Sequence, residues 1–121
     1  MIVLQNKEDM WYTYNMDYHR LPTTLPPSLY QFFWDVDARR LDPSKNADYV
    51  INRLLDKGGL DGARWTLQKF PKERLIKTLK KMRDFSPRNG RFWTRYLNIP
   101  EEEVACLNPS YLAMRRQHWP F

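Results

Sequence analysis

Hydrophobic and polar positions in the middle of the chain alternate with the period of amphipathic helices. In the stretch LDPSKNADYVINRLLDKGG, apolar residues return every three or four positions, and Gly58 follows them as a stop signal. Asp42 and Pro43 precede the apolar stripe as an N-cap and a first helical residue would. The pattern therefore predicts a helix that begins at Pro43 and ends just before Gly58.

The same capping and spacing signals predict further helices on both sides of this one. They begin at Ser28, Asp61, Pro71, Ser86-Pro87 and Pro100. The apolar residues of the helix after Ser86 are predicted to face the core, namely Phe92, Trp93, Tyr96 and Leu97. We therefore expect an all-α protein, a compact bundle of about five helices.

The 121 residues divide into one helical domain with an arm at each end. Residues 1–27 form an aromatic N-terminal arm that ends in a proline-rich segment, residues 28–107 form the helical domain, and residues 108–121 form a C-terminal tail. The single cysteine excludes an internal disulfide, and no apolar run approaches the length of a membrane span. Because the N-terminus also lacks the features of a secretory signal, we expect a cytoplasmic protein without membrane contact.

The stretch FFWDVDARRL raises the question of catalysis, because phosphatases of the haloacid dehalogenase type carry Asp-x-Asp after an apolar strand. That chemistry requires a parallel sheet, whereas this chain predicts helices. The residues before the pair, Phe32 to Trp34, are instead expected in the core. Asp35 and Asp37 are expected to accept hydrogen bonds from backbone amides in a turn.

Other signs of chemistry are weak. His19, His118 and Cys106 are too few for a soft-ligand metal site, and DKGGLDG lacks the lysine-hydroxyl ending of a phosphate-binding loop. The cysteine follows an apolar run and is expected to be a buried thiol. We therefore predict a non-enzymatic protein with no metal and no cofactor.

Charge is distributed unevenly along the chain. The net charge is +6, but residues 64–95 hold eleven Lys or Arg and only two acids. The two predicted helices in this region, joined by the short DFSP turn, resemble a helix-turn-helix in their dimensions. Their basic surface is suited to nucleic acid or to an acidic protein. Its candidate binding residues are Lys72, Lys77, Lys80, Lys81, Arg88, Arg91 and Arg95.

Residues 26–106 resemble a small prokaryotic family of helical proteins. The resemblance is carried by LPPSLYQFFWDVDARRLDPSKNADYVINRLLDKGGLDGARWTLQKF and by DFSPRNGRFWTRYLNIPEEEVAC. Shared features are a Phe/Trp-Asp-x-Asp entry, a Leu-Asp-x-x-x-Asn helix start, an Ile-x-Arg-x-Leu-x-x-Gly helix end and a terminal Glu-x-x-x-Cys. Similar proteins are encoded beside AbiEii-type nucleotidyltransferase toxins, which implies an antitoxin-like partner of such a toxin and implies no catalytic residues.

Two classes of function follow from these observations. In one, the protein binds and restrains a toxin-like nucleotidyltransferase, with aromatic residues of both arms as anchors, because Trp and Tyr dominate interface hot spots. Those candidates are Trp11, Tyr12, Tyr14, Tyr111, Trp119 and Phe121. In the other, it is a regulatory nucleic-acid-binding protein that uses the basic face of residues 64–95. If the six aromatic residues of the arms do not contact a partner, each of them is expected to cover the core of its own domain.

Overall fold

The computed structural model describes residues 20–118, which form five α-helices and three short 3-10 helices and contain no strand. The α-helices are α1 (Ala47–Lys57), α2 (Gly59–Lys69), α3 (Lys72–Lys81), α4 (Pro87–Tyr96) and α5 (Pro109–His118). The 3-10 helices are Pro27–Phe32, Glu101–Glu103 and Ala105–Leu107. The predicted all-α fold with about five helices is confirmed.

Helix α1 is the central element, because α2, α3, α4 and the first 3-10 helix all pack against it. Its apolar stripe is buried as the sequence period predicts, and Val50, Ile51 and Leu54 have no exposed surface. Phe33 joins this core from the N-terminal side, while Phe70 and Phe85 join it from the ends of α2 and the α3–α4 connection. Burial of these side chains supplies the main stabilisation of the bundle.

Helix α1 begins four residues later than the sequence predicts. The Asp42 carboxylate accepts hydrogen bonds from the backbone amide and the hydroxyl of Ser44, at 2.8 and 2.6 Å. Asp42 therefore stabilises a turn that precedes the helix. Its backbone carbonyl also accepts a hydrogen bond from the amide of Asn46. Ala47 is the first residue of the α-helix. The predicted end is correct, since Gly58 is the C-terminal cap.

The turn from α1 to α2 depends on glycine. Gly58 ends one helix and precedes the other, and Gly59 has a φ of 62°, in the left-handed region that glycine adopts without steric penalty. The two helices consequently follow each other without an intervening loop. Asp61 lies in the first turn of α2 and is not its cap.

Helix α4 has a well-defined cap at each end. The Ser86 hydroxyl accepts a hydrogen bond from the amide of Asn89, which confirms the predicted N-cap. At the other end Asn98 adopts a φ of 59°, and the amide of Ile99 donates to the carbonyl of Thr94 over 2.9 Å. This is the Schellman arrangement, in which a left-handed residue satisfies the last carbonyls of a helix.

The chain after α4 differs from the predicted helix at Pro100. Val104 is extended and buried, and it separates two single 3-10 turns. The second turn, Ala105–Leu107, contacts α3, α4 and α5, and it buries Cys106 as predicted. Because the extended backbone of Val104 does not continue a helix, the α-helix predicted from Pro100 does not form. The segment predicted as a tail is helical from Pro109 to His118.

Candidate functional site

Asp35 forms a two-pronged ion pair with Arg53, a residue of α1. The two guanidinium nitrogens of Arg53 each donate to one carboxylate oxygen of Asp35, both at 2.9 Å. The Tyr49 hydroxyl donates to the same carboxylate at 2.9 Å, and Arg53 also donates to the backbone carbonyl of Phe32 at 2.8 Å. Bidentate pairing of this kind fixes both partners in orientation.

Contacts within this cluster stabilise Asp35 as a carboxylate, Arg53 as a cation and Tyr49 as a neutral phenol. Hydrogen bonds from Arg53, and then from Tyr49, hold the pKa of Asp35 well below its usual range. The hydrogen bond to Asp35 raises the pKa of Arg53. Burial, followed by the hydrogen bond to Asp35, raises the pKa of the Tyr49 phenol. A carboxylate with both oxygens engaged in this way is suited to a structural ion pair, not to attack on phosphorus.

Asp35 and Asp37 are both predicted to accept hydrogen bonds from backbone amides in a turn, and the prediction is correct for Asp37 alone. Asp37 accepts a hydrogen bond from the backbone amide of Arg39 at 3.2 Å, as expected for a turn carboxylate. The expectation for Asp35 is wrong, because its hydrogen bonds come from the Arg53 and Tyr49 side chains, 18 and 14 residues away. Sequence spacing within the motif gives no sign of these partners.

Trp34 lies on the outside of the Asp35–Arg53 pair. Its side chain is 67% exposed, which corrects the prediction that it belongs to the core. The guanidinium carbon of Arg53 is 4.4 Å from the centre of the Trp34 ring, within cation–π distance. The same guanidinium lies 4.9 Å from the Tyr49 ring and 5.7 Å from the Phe33 ring. Trp34 is therefore both exposed and held on a fixed cation.

Part of the predicted basic surface is paired with acids of the same domain, and Asp48 of α1 binds three side chains of α3. Its carboxylate lies 2.9 Å from Arg74 and 3.0 Å from Lys81, and it accepts a hydrogen bond from Thr78 at 2.8 Å. Burial raises the pKa of Asp48, but the hydrogen bonds from Lys81, Thr78 and Arg74 outweigh it and hold the pKa at about 2. Lys80 is also paired, with Glu103 at 2.7 Å.

Five of the seven predicted basic residues are exposed and form no ion pair with another described residue. They are Lys72, Lys77, Arg88, Arg91 and Arg95. Three of the five belong to α4, so the outer side of this helix keeps most of the uncompensated charge. The basic surface that is free of ion pairs with described residues is therefore smaller than the surface predicted from the sequence.

The outer side of α4 also carries two aromatic rings. Phe92 is 57% exposed and Tyr96 is 59% exposed, which corrects the prediction that both face the core. Their ring centres are 6.2 Å apart and their planes differ by only 14°. We call this surface the arginine–aromatic face, and it consists of Arg88, Arg91, Phe92, Arg95 and Tyr96.

A spacing signal in the sequence could have identified this face. Gly90, Trp93, Thr94 and Leu97, which are buried, recur at intervals of three and four residues. They form one side of α4, and the five residues of the arginine–aromatic face recur on the opposite side. The buried side carries a glycine because a Cβ atom at position 90 would collide with the buried sulfur of Cys106.

Helix α4 is anchored to the end of α1 by polar contacts. The Asp56 carboxylate accepts hydrogen bonds from the amide and hydroxyl of Ser86 and from the side chain of Asn89, at 2.9 to 3.1 Å. The Trp93 indole donates to the carbonyl of Leu55 at 3.0 Å. These contacts hold the inner side of α4 in place and so fix the position of its outer side.

Of the predicted aromatic anchors in the arms, only Tyr111 falls within the part of the chain that the structure describes. It is partly buried and lines a pocket with Arg83 and Met114. The other five anchors lie outside the described residues, namely Trp11, Tyr12, Tyr14, Trp119 and Phe121.

Two features of other protein classes are absent from the part of the chain that the structure describes. Between residues 20 and 118, no three or more His, Cys, Asp or Glu side chains are grouped so that they could hold a metal ion. Over the same range, no helix has both the length and the apolar character needed to cross a membrane.

Residues 29–79 match the model of a family described as a family of unknown function (DUF6922). The match covers less than half of the chain. It includes Trp34, Asp35, Asp48 and Arg53, and it ends before α4. Comparison with curated proteins gives no match, and comparison with solved structures gives none either.

Proposed function

We propose that this protein is a non-enzymatic interaction protein that binds and restrains a toxin-like nucleotidyltransferase, with Trp34 as a central contact. The observation that carries the proposal is that Trp34 is two-thirds exposed and yet fixed on Arg53. The class of partner rests on the resemblance of residues 26–106 to proteins encoded beside AbiEii-type toxins.

A fixed, exposed tryptophan favours binding for an energetic reason. Interface hot spots are enriched in Trp, Tyr and Arg, which bury large surfaces in a partner's pocket. Ordering a mobile side chain at an interface costs roughly 0.5–1.5 kcal/mol, and a side chain already held in place avoids most of that loss. Arg53 is itself held by Asp35, so the whole cluster is organised before binding.

A second exposed apolar residue lies close to Trp34 in the chain. Val36 is 42% exposed, and it follows Asp35 in the turn after the first 3-10 helix. Together with Trp34 it offers apolar surface beside the ion pair. An apolar centre beside polar, hydrogen-bonded groups at the rim is usual for a protein interface.

The test is to produce the protein together with the product of the adjacent gene, which we expect to be an AbiEii-type nucleotidyltransferase, and to measure growth and complex formation. We expect the wild type to relieve toxicity and to form a stoichiometric complex. We expect Trp34→Ala to weaken the complex at least about 30-fold in calorimetric titration, the loss that defines a hot spot. The matched control is Leu60→Ala, which removes another exposed apolar side chain and should change the affinity less than about threefold.

Two results would contradict the proposal in different ways. If the wild type forms no complex and relieves no toxicity, the toxin is not the partner. If the complex forms but Trp34→Ala binds as tightly as the wild type, the contact surface is elsewhere. A large fall in melting temperature for Trp34→Ala would show that Trp34 stabilises its own domain instead.

A further inference from the structure

The arginine–aromatic face of α4 is used only in part by the fold, since Phe92 and Tyr96 meet Trp93 nearly at right angles, with ring centres 4.8 and 5.5 Å away. Trp93 and Leu97 fill the core from this helix, whereas Phe92 and Tyr96 are more than half exposed. We propose that this face binds single-stranded nucleic acid. Its three arginines contact phosphates and its two rings stack on bases.

The charge of the face favours a polyanion. Arg88, Arg91 and Arg95 recur at intervals of three and four residues, so they lie along one side of the helix. No acidic residue occurs in α4. Asp56, which contacts the beginning of α4, is occupied by Ser86, Asn89 and Lys57 and does not neutralise the arginines. The face therefore presents three positive charges that form no ion pair with a described acid.

The rings distinguish nucleic acid from an acidic peptide. A peptide rich in Asp or Glu would neutralise the arginines but would offer no planar partner to Phe92 and Tyr96. Every nucleic-acid base has a flat surface, and stacking of bases on aromatic side chains, with arginines beside them, is the usual means of binding single strands. The two rings stack on each other with their centres 6.2 Å apart and their planes 14° apart, and each side chain keeps more than half of its surface exposed for a base.

The rings also favour a single strand over a duplex. In a duplex the bases are stacked on one another, so an aromatic ring cannot stack on a base without separating the base pairs. Phosphate contacts alone would bind either form. Because α4 is held by Trp93 and Asp56, the face requires no rearrangement before binding. This inference does not depend on the proposed toxin partner, since Trp34 belongs to a different segment.

The experiment is a fluorescence anisotropy titration of the full chain with a labelled 15-nucleotide oligothymidine, repeated with oligouridine and with a duplex of the same length. Four variants are compared with the wild type. Phe92→Ala/Tyr96→Ala removes the rings, and Phe92→Tyr/Tyr96→Phe keeps them. Arg88→Gln/Arg91→Gln/Arg95→Gln removes the charges, and Arg39→Gln/Lys45→Gln/Lys69→Gln removes three exposed charges elsewhere as the matched control.

We expect the wild type to bind both single strands more tightly than the duplex. Loss of both rings together should weaken binding at least about 25-fold, because each base stack contributes a factor of about 5 or more, while the variant that keeps the rings should bind like the wild type. Loss of the three arginines should weaken binding and reduce the slope of log affinity against log salt by up to about 2. The control variant should retain most of the affinity. All variants should keep the wild-type circular dichroism. The arginine and control variants should also keep the melting temperature, whereas Phe92→Ala/Tyr96→Ala loses two contacts with Trp93 and should lower it.

Several outcomes would overturn the inference. One is a wild type that binds no oligonucleotide at low salt, and another is a wild type that binds the duplex as tightly as the single strands. Equal affinity of the ring-free variant and the wild type would show that the rings do not contact bases. An equal loss in the control variant would show that only net charge matters. A complex with an acidic protein that requires the same five residues, without oligonucleotide binding, would assign the face to a protein partner.

Discussion

Asp35 and Arg53 are 18 residues apart in the chain, and their side chains meet in two parallel hydrogen bonds of 2.9 Å each. The side chain of Arg53 is only 12% exposed, whereas that of Asp35 is 45% exposed. The arginine also donates to the carbonyl of Phe32 and lies against three aromatic rings. It therefore connects α1 to the segment that carries Trp34.

Arg53→Met should lower the free energy of unfolding by about 2 kcal/mol, because it removes hydrogen bonds of a charged donor and leaves the Phe32 carbonyl and Asp35 without that partner. Asp35→Asn should lower it less. The measurement is urea unfolding at pH 7. Arg39→Met is the control, because it changes an exposed arginine that has no ion pair among the described residues. An Arg53 variant as stable as this control would show that the cluster does not stabilise the fold.

Asp48 should make the protein sensitive to acid. Its pKa is lowered from 3.8 to about 2 in the folded protein, so its contribution to stability is fully present above pH 3.8 and is lost as the pH falls towards 2. The loss should be on the order of 1–2 kcal/mol. Urea unfolding of the wild type and of Asp48→Asn at pH 5 and pH 2.5 measures it. The difference in stability between the two proteins should shrink at the lower pH, and a constant difference would contradict the assignment.

Gly90 and Cys106 should be coupled in a double-mutant cycle. A side chain at position 90 would collide with the Cys106 sulfur, so Gly90→Ala should lower the free energy of unfolding by about 1–3 kcal/mol despite the better helix propensity of alanine. Gly90→Ala in a Cys106→Ala background should be less destabilising, because the sulfur is gone. Additive effects of the two changes would show that the close contact does not limit packing.

The Asp-x-Asp stretch should have no phosphatase activity. Asp35 already binds Arg53 and Tyr49, and Asp37 binds the amide of its own turn, so neither is placed to attack a phosphate ester. Release of phosphate from p-nitrophenyl phosphate with Mg²⁺ should equal the rate without protein. Magnesium-dependent release by the wild type that disappears in Asp35→Asn would reverse this conclusion.

Local sequence patterns predicted four of the five α-helices of residues 20–118 and much of the core. The apolar period of α1 identified Val50, Ile51 and Leu54 as buried, and the Ser86-Pro87 pair located the start of α4. These features are local, because a helical stripe repeats every three or four residues and a cap bonds an amide three residues away. Patterns of this length can be read along the chain.

Packing of separate segments sets which polar side chains meet and which apolar side chains stay exposed. The same packing brings together the ion pairs Asp35–Arg53 and Asp48–Arg74. No short-range sequence pattern predicts either pair. In α4, apolar residues occur on both sides of the helix, and hydrophobicity alone does not choose between them. The small Gly90 allows close contact with Cys106, and this contact turns Phe92 and Tyr96 outward.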